Sequence, residues 1–239
     1  MKDTDADWAM LGEGEPFYGV LSDPRFLRAN ITPAALEEFW QTGRNEMHGY
    51  RQLIQAHFGD FSDASALDFG CGVGRLTRAM GEMCRQATGL DISPGMLVEA
   101  RRHAPANVNY VSALGDETFD WLNSIIVFQH IPPQRGYRLL DDLLARVNSG
   151  GALSLHVTLF KDESFLTHLW PTLHRGQWDG DRFVSFDHDQ GDVGGMEMYD
   201  YDMSRIIEMT SRHGFHNLII QHTNHGGCHG VIMFGRKGR

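Results

Sequence analysis

The stretch that decides the fold is Ala66-Leu67-Asp68-Phe69-Gly70-Cys71-Gly72-Val73-Gly74-Arg75-Leu76. An apolar strand carrying the acid Asp68 runs into three glycines at alternate positions, and a helix is expected from Arg75 onward. Glycines at such a turn let the backbone approach a ligand closely, and the N-terminus of the following helix favours a negatively charged group. The stretch therefore indicates a site for a nucleotide-like cofactor.

The spacing of the glycines separates two classes of nucleotide cofactor. The dinucleotide fingerprint GxGxxG requires glycine at position 75, which is Arg75 here, and it does not normally carry an acid two residues before the first glycine. A second acid, Asp91, ends the next expected strand about 20 residues later, where a carboxylate accepts hydrogen bonds from ribose hydroxyls. Because Arg75 replaces the required glycine, a nicotinamide oxidoreductase is disfavoured.

Two further elements follow in order, Ile125-Ile126-Val127-Phe128-Gln129-His130-Ile131-Pro132-Pro133 and Asn148-Ser149-Gly150-Gly151-Ala152-Leu153. Together with the stretches around Asp68 and Asp91, they resemble the class I S-adenosylmethionine-dependent methyltransferases over about residues 16–159, and on to the end of the chain. The resemblance implies S-adenosylmethionine as cofactor. It also implies a doubly wound α/β fold, with a seven-stranded, mostly parallel sheet of strand order 3-2-1-4-5-7-6.

Hydrophobic periodicity independently predicts alternating strands and helices. Strands are expected at 66–69, 87–92, 108–111, 122–128, 152–159, 218–221 and 230–234, the last two joined by a His- and Gly-rich turn at 222–229. Helices are expected at 33–58 with a break near Gly43, and at 75–84, 94–103, 134–147 and 199–213. Strands alternating with helices favour a parallel sheet covered on both faces.

We expect a single domain over residues 1–239, with residues 1–60 forming an N-terminal helical cap whose first 15 residues are loose. Residues 160–198 break the alternation and carry scattered glycines and aromatic residues. A long insertion near a strand end is usually functional, so we interpret it as a lid over the substrate, with a merely structural excursion as the alternative.

Carried onto this sequence, the resemblance implies a cofactor site with distinct parts. Asp68 and the three glycines would cradle the methionine part, Asp91 would hold the ribose, and Arg44 would reach the carboxylate. The site as a whole is expected to contain Arg44, Asp68, Gly70, Gly72, Gly74, Asp91, Ile92, Met96, Ser112, Ala113, Phe128 and Gln129.

The remaining roles concern the adenine and the sulfonium. Ile92 and Met96 would flank the adenine, and Ser112 and Ala113 would lie near its amine, although Ser112-Ala113-Leu114 departs from the family's Gly-Asp pattern. Aromatic faces attract cations, so Phe17, Tyr18, Trp40 or Phe128 would line the sulfonium, with a plain core role as the alternative for each.

Methyl transfer from a sulfonium is an in-line displacement with a neutral leaving group, so holding donor and acceptor in a dry pocket supplies most of the acceleration. A base is needed only for a hydroxyl or a protonated amine, and histidine suits that role near neutral pH. His130 is the first candidate base and His156 the second, with hydrogen-bonded structural histidines as the alternative for both.

We expect no metal. His222, His225 and His229 resemble a metal site only superficially, because a Gly226-Gly227 turn between strands does not make ligands converge. The three cysteines are odd in number and lack disulfide or CxxC spacing, which favours a reducing, cytoplasmic setting.

Composition narrows the expected partners. With 31 Asp and Glu against 21 Lys and Arg, the formal charge is −10, which argues against nucleic acid as a partner. No apolar run is long enough to span a bilayer, and the acidic start lacks the features of a secretory signal.

The sequence therefore favours methylation of a small-molecule acceptor, with a slight preference for a hydroxyl. Two alternatives stay open, namely N-methylation of a small amine and a binding module that keeps the cofactor pocket without turnover.

Overall fold

The computed structural model describes residues 4–162, 174–179, 182–187 and 197–238, with side chains described in 4–162 and 198–238. The helices are α1 Thr4–Gly14, α2 Pro16–Val20, α3 Pro33–Phe58, α4 Arg75–Met83, α5 Pro94–Arg102, α6 Pro133–Ala145 and α7 Met203–Arg212, with 3₁₀ turns at Pro24–Phe26 and Phe128–His130. The strands are β1 Ser65–Phe69, β2 Gln86–Leu90, β3 Val108–Val111, β4 Phe119–Ser124, β5 Val147–Lys161, β6 His174–Asp179, β7 Arg182–Asp187, β8 Glu197–Met198, β9 Leu218–His225 and β10 Cys228–Arg236.

The main sheet has the strand order β3-β2-β1-β4-β5-β10-β9, which confirms the predicted 3-2-1-4-5-7-6 topology. β1 to β5 pair in parallel, and β10 is antiparallel to both of its neighbours. Side chains of α3, α4 and α5 bury one face, and those of α6 and α7 bury the other. Because the strands are parallel, the carboxyl ends of β1, β2 and β4 meet at one edge, where the expected site residues lie.

The fourth strand ends earlier than predicted. Its predicted range of 122–128 is replaced by Phe119–Ser124, and the chain then leaves the sheet through Ile126, whose φ of 59° is left-handed. A β-branched residue in that region costs roughly 1–3 kcal/mol, and such strain is typical of functional sites. Within the apolar run 125–128 only Ile125 and Phe128 are buried, so its hydrophobicity alone does not distinguish turn from strand.

The N-terminal segment is helical, so the expectation of a loose start was wrong from Thr4 onward. α1 crosses the beginning of α5, and a Cβ on Gly95 would lie 2.6 Å from the carbonyl carbon and oxygen of Gly12. α3 also runs unbroken through Gly43, where a Cβ would lie 2.4 Å from the carbonyl oxygen of Arg75. Tertiary packing therefore explains these glycines, of which the sequence marks Gly43 as a break.

The last two strands are longer than predicted, and the turn between them is only Gly226-Gly227, with φ values of 62° and 90°. His222, His225 and His229 therefore lie in strands and not in a turn. Cys228 at the start of β10 pairs with Lys161 at the end of β5, which places this hairpin turn at the carboxyl edge of the sheet.

The predicted insertion at 160–198 lies largely outside the described residues. Its described backbone forms a three-stranded antiparallel sheet in the order β6-β7-β8. At its neck Lys161 forms a buried ion pair with Asp200, and the Tyr199 amide donates to the Gln129 carbonyl at 2.7 Å. Among the helices that the structure describes, none has the length and apolar character to cross a bilayer.

Candidate active site

A cavity of about 320 Å³ opens at the carboxyl edge of β1, β2 and β4. The structure places eight of the predicted site residues in its lining: Asp68, Gly70, Gly72, Asp91, Ile92, Ser112, Ala113 and His130. Its volume lies in the range of small-molecule and cofactor sites. The glycine loop and the two predicted acids therefore belong to one site.

In the glycine loop, residues 70–74, the first two glycines are required both by their backbone conformation and by the lack of space for a side chain. Gly70 and Gly72 have φ values of 74° and 54°, in the left-handed region that side chains rarely adopt. A Cβ on Gly70 would lie 2.4 Å from Cγ2 of Val127, and one on Gly72 would lie 2.6 Å from Cγ2 of Val20. The loop thus forms a backbone wall of the cavity that no larger residue fits.

Asp91 holds this loop in place. Its Oδ2 accepts a 2.8 Å hydrogen bond from the Gly72 amide, and its Oδ1 accepts one of the same length from the Ser93 amide. Burial raises the pKa of Asp91 above its usual value, and the hydrogen bonds from the Ser93 and Gly72 amides oppose that rise. Each oxygen retains a second lone pair, so the carboxylate can also accept from a ligand in the cavity.

Asp68 belongs to a chain of buried hydrogen bonds that connects side chains of β1, β4 and β5. Thr77 Oγ1 donates to its Oδ2 at 2.6 Å, and Asn123 Nδ2 donates to its Oδ1 at 2.8 Å. Ser154 Oγ donates to Asn123 at 2.6 Å and accepts from Trp121 Nε1 at 3.1 Å. The chain fixes the carboxylate at the floor of the cavity.

This environment makes stability depend on pH through Asp68. Burial raises its pKa from 3.8 to about 6, although hydrogen bonds from Thr77 and Asn123 and the charge of Arg75 act in the opposite direction. The folded state thus binds the proton more tightly than the unfolded state. The resulting contribution to stability is complete below the unfolded pKa and is lost as pH rises through the folded pKa.

Relative to the non-titrating variant Asp68→Asn, the wild type should therefore lose up to about 3 kcal/mol of unfolding free energy between about pH 4 and 7. Urea unfolding of both cofactor-free proteins at several pH values measures this difference. If the difference in unfolding free energy between the two proteins stays constant with pH, the pKa of Asp68 is not raised by burial.

Arg44 does not have the role that the sequence predicts, and Arg75 lines the cavity in its place. Arg44 does not reach the cavity, because it is held on the outer side of α3 by ion pairs to Glu37 at 2.8 Å and Glu82 at 2.9 Å. Arg75 is buried and lines the cavity, and its Nη1 binds Glu46 at 2.8 Å and Thr42 at 3.2 Å. Arg75 therefore ties the glycine loop to α3.

Four other predicted cofactor residues are absent from the cavity lining. Gly74 begins α4, and a Cβ there would meet the Tyr110 hydroxyl at 2.0 Å. Met96 is fully buried in the apolar cluster beneath the N-terminal helices. The Phe128 ring packs between Phe69 and Tyr201, and Gln129 contacts the ring of His130. These four residues pack in the layer next to the cavity lining and do not face the cavity.

His130 is the candidate base that the fold brings to the cavity. It lies in the 3₁₀ turn after Ile126, and the Trp8 ring meets its ring edge-on at 5.1 Å between centroids. Its Nε2 lies 3.0 Å from Nε2 of Gln129. The residue is 9% exposed, so the imidazole is largely shielded from water while still lining the cavity.

His156 is not brought to the cavity, so the structure does not place the second candidate base there. It is buried on β5, bonded through Nε2 to Thr223 Oγ1 at 3.1 Å and stacked on His225 at 5.7 Å. Burial lowers its pKa to about 4, with the charges of His225 and His130 acting in the same direction. Strand alternation turns it toward the face that α3 covers.

The histidines of the last hairpin form a hydrogen-bonded chain. His222 Nε2 lies 2.9 Å from His229 Nδ1, and His229 Nε2 lies 2.7 Å from Asp162 Oδ2. Across the residues described, no group of three or more His, Cys, Asp or Glu side chains has an arrangement suited to a metal ion.

Several lining residues were missed from the sequence, and they come from two regions without a diagnostic pattern. α1 and the end of α2 contribute Thr4, Asp5, Trp8, Val20 and the following Leu21, whereas Ile131 before α6 and Arg135 and Leu139 within it come from the second region. The Pro132-Pro133 pair that starts α6 is the one local signal near them. The residues that line the cavity next to His130 are thus brought together by contacts between segments that are far apart in the sequence.

Comparisons with known proteins agree with this geometry. Residues 66–151 match the family model described as a methyltransferase domain. A ubiquinone biosynthesis O-methyltransferase of Coxiella burnetii is 30% identical over 97 residues, which is 36% of this chain and 40% of the relative. The match thus spans less than half the length of that curated relative.

Solved structures show the same fold over almost the whole chain. Magnesium protoporphyrin IX methyltransferase from Synechocystis PCC 6803, with bound S-adenosylhomocysteine, is 14% identical with a TM-score of 0.64, covering 99% of this chain and 100% of that one. An amino pentose methyltransferase from Micromonospora echinaspora is 18% identical with a TM-score of 0.52, covering 84% of this chain and 97% of that one.

Residues 66–151 are therefore similar to a methyltransferase domain, and the chain shares its fold with solved methyltransferases, one of which binds S-adenosylhomocysteine.

Proposed function

We propose that the protein transfers a methyl group from S-adenosylmethionine to a hydroxyl group of a small molecule. The observation that carries this proposal is that one cavity joins the Asp91-held glycine loop to the shielded imidazole of His130. When bound, the cofactor supplies an electrophilic methyl on a sulfonium.

The residues present fit that cofactor. Gly70 and Gly72 leave a concave backbone surface that a Cβ would fill. Asp91 offers its remaining lone pairs to ribose hydroxyls, and Ile92, 48% exposed at the cavity, offers an apolar surface for the adenine. The protein's part in the reaction is to hold donor and acceptor in line and to exclude water.

His130 accepts the acceptor's proton in this proposal. It lies on the β4 side of β1, whereas Asp91 ends β2 on the other side of β1, so the ribose and the acceptor would bind on either side of the glycine loop. The O-methyltransferase name of the curated relatives supports a hydroxyl acceptor. The amino pentose methyltransferase among the structural relatives keeps N-methylation as the second candidate.

The domain boundaries are part of the proposal. One methyltransferase domain spans residues 1–239, residues 1–60 cap the cofactor side, and residues 160–198 act as a lid. The neck contacts support this role for the insertion, because Tyr199 is hydrogen-bonded to the backbone of Gln129, next to His130.

The test is transfer of a labelled methyl group from S-adenosylmethionine to a panel of phenols and their matching aryl amines. The proposal expects label in the phenols. Label confined to the amines would support N-methylation instead. Tight S-adenosylhomocysteine binding without transfer to any acceptor, including those in a cell extract, would indicate a binding module.

Replacing His130 by glutamine should lower kcat for a phenol acceptor by about 100-fold or more, because a general base contributes 10²–10⁴. Binding of S-adenosylhomocysteine should stay within about twofold, since that ligand needs no base. Steady-state kinetics and calorimetry measure the two effects, and His48→Gln, at an exposed position of α3, is the matched control. An unchanged kcat would return His130 to a structural role.

A further inference from the structure

A cation of the cavity is already bound to a carboxylate from the protein's own N-terminal helix. Arg135 Nη1 lies 2.7 Å from both Oδ1 and Oδ2 of Asp5, and both residues line the cavity. Their side chains are 43% and 34% exposed. The ion pair therefore lies where a ligand from solvent can reach it.

Both partners belong to helices that the fold anchors. Arg135 is in the first turn of α6, which is anchored by the buried side chains of Tyr137, Leu140 and Leu144. Asp5 is in the first turn of α1, next to the buried Thr4. The two side chains themselves are partly exposed at the cavity, so a carboxylate from solvent can exchange with Asp5 on the guanidinium.

The neighbouring surface has the character expected for an apolar molecule with one anionic group. Trp8, Leu21, Ile131 and Leu139 line the cavity together with Arg135. Arg75, the other arginine in the described lining, is turned to Glu46 and Thr42. The N-terminus of α6 adds its dipole to the charge of Arg135, and guanidinium groups bind carboxylates strongly.

We propose that the methyl acceptor carries a carboxylate, and that this carboxylate replaces Asp5 on Arg135 when the acceptor binds. Asp5 then acts as an internal stand-in that keeps α1 over the cavity until the acceptor arrives. This inference rests on the proposed methyl transfer for the identity of the ligand as an acceptor. The binding preference itself is measured without turnover.

The experiment titrates the protein, saturated with S-adenosylhomocysteine, with 4-hydroxybenzoate, neutral 4-hydroxybenzamide and cationic 4-hydroxybenzylamine. The wild type should bind the benzoate best. Asp5→Asn removes the carboxylate that competes for the guanidinium, so the benzoate should bind about tenfold more tightly while the benzamide is unchanged. Arg135→Gln should bind benzoate and benzamide equally, and Arg138→Gln, an exposed neighbour on α6, should behave as the wild type.

Three results would overturn the inference. These are the absence of a benzoate preference in Asp5→Asn, a preference that survives in Arg135→Gln, and tight benzylamine binding that Asp5→Asn removes. The last result would mean that Asp5 binds a cationic acceptor. Failure of S-adenosylhomocysteine to bind would instead count against the proposed function, and repeating the titrations without it still decides the role of Arg135.

Discussion

Asp91→Ala should raise the Kd for S-adenosylhomocysteine by about 100-fold or more. In the proposed function the variant loses the acceptor for the ribose hydroxyls, and it also releases the Gly72 and Ser93 amides that the carboxylate holds at 2.8 Å. Hydrogen bonds to a charged group contribute about 1.5–3 kcal/mol each, so two of them account for an effect of this size. Isothermal titration calorimetry measures it directly.

The matched control is Asp116→Ala, which removes an exposed acid away from the cavity and should leave the affinity unchanged. Circular dichroism and thermal unfolding of the cofactor-free Asp91→Ala protein show whether the fold is retained. Asp91→Asn, which keeps one acceptor oxygen, should lose less affinity. Equal affinities in wild type and Asp91→Ala would remove Asp91 from the cofactor site.

Lys161→Met should lower the free energy of unfolding by about 3–5 kcal/mol, because it removes the counter-charge of a buried carboxylate. Lys161 and Asp200 are essentially inaccessible to solvent, with side-chain exposures of 0% and 1%. They flank the insertion on its two sides, so the pair closes its neck. Urea unfolding gives the free energy, and labelled methyl transfer shows whether an open neck also impairs activity.

The double variant Lys161→Met/Asp200→Leu should recover most of the lost stability, since it removes both charges together. Arg25→Met breaks a highly exposed ion pair with Glu38, and it should leave the unfolding midpoint nearly unchanged. A single Lys161→Met variant as stable as the wild type would contradict the structural role of the neck ion pair.

The grouping of the glycine loop and Asp91 around one cavity could be predicted because these residues belong to short local patterns. Asp68, Gly70 and Gly72 are neighbours in the chain, and Asp91 ends the next strand, so local sequence and a parallel sheet suffice to place them together. Gly74 was predicted with them but packs against Tyr110, because an alternate glycine also serves the start of a helix. Spacing alone does not separate these two uses of glycine.

The acceptor side could not be predicted in the same way. Asp5 and Arg135 are 130 positions apart, and no local pattern links them. β4 ends at Ser124 and the apolar run 125–128 follows directly, so the sequence does not show where the strand stops. After the turn at Ile126, His130 lies in a 3₁₀ turn at the cavity. His156 was a candidate because of its strand position, but its side chain lies on the sheet face that α3 covers, where it contacts Thr223.

In the proposed function, one cavity holds the cofactor against Asp91 and the glycine loop with its reactive end toward His130. A crystal structure with bound S-adenosylhomocysteine tests this arrangement. We expect both ribose hydroxyls within hydrogen-bonding distance of the Asp91 carboxylate and the sulfur facing the space between Trp8 and His130. A ligand bound elsewhere, or one whose sulfur points away from His130, would contradict it.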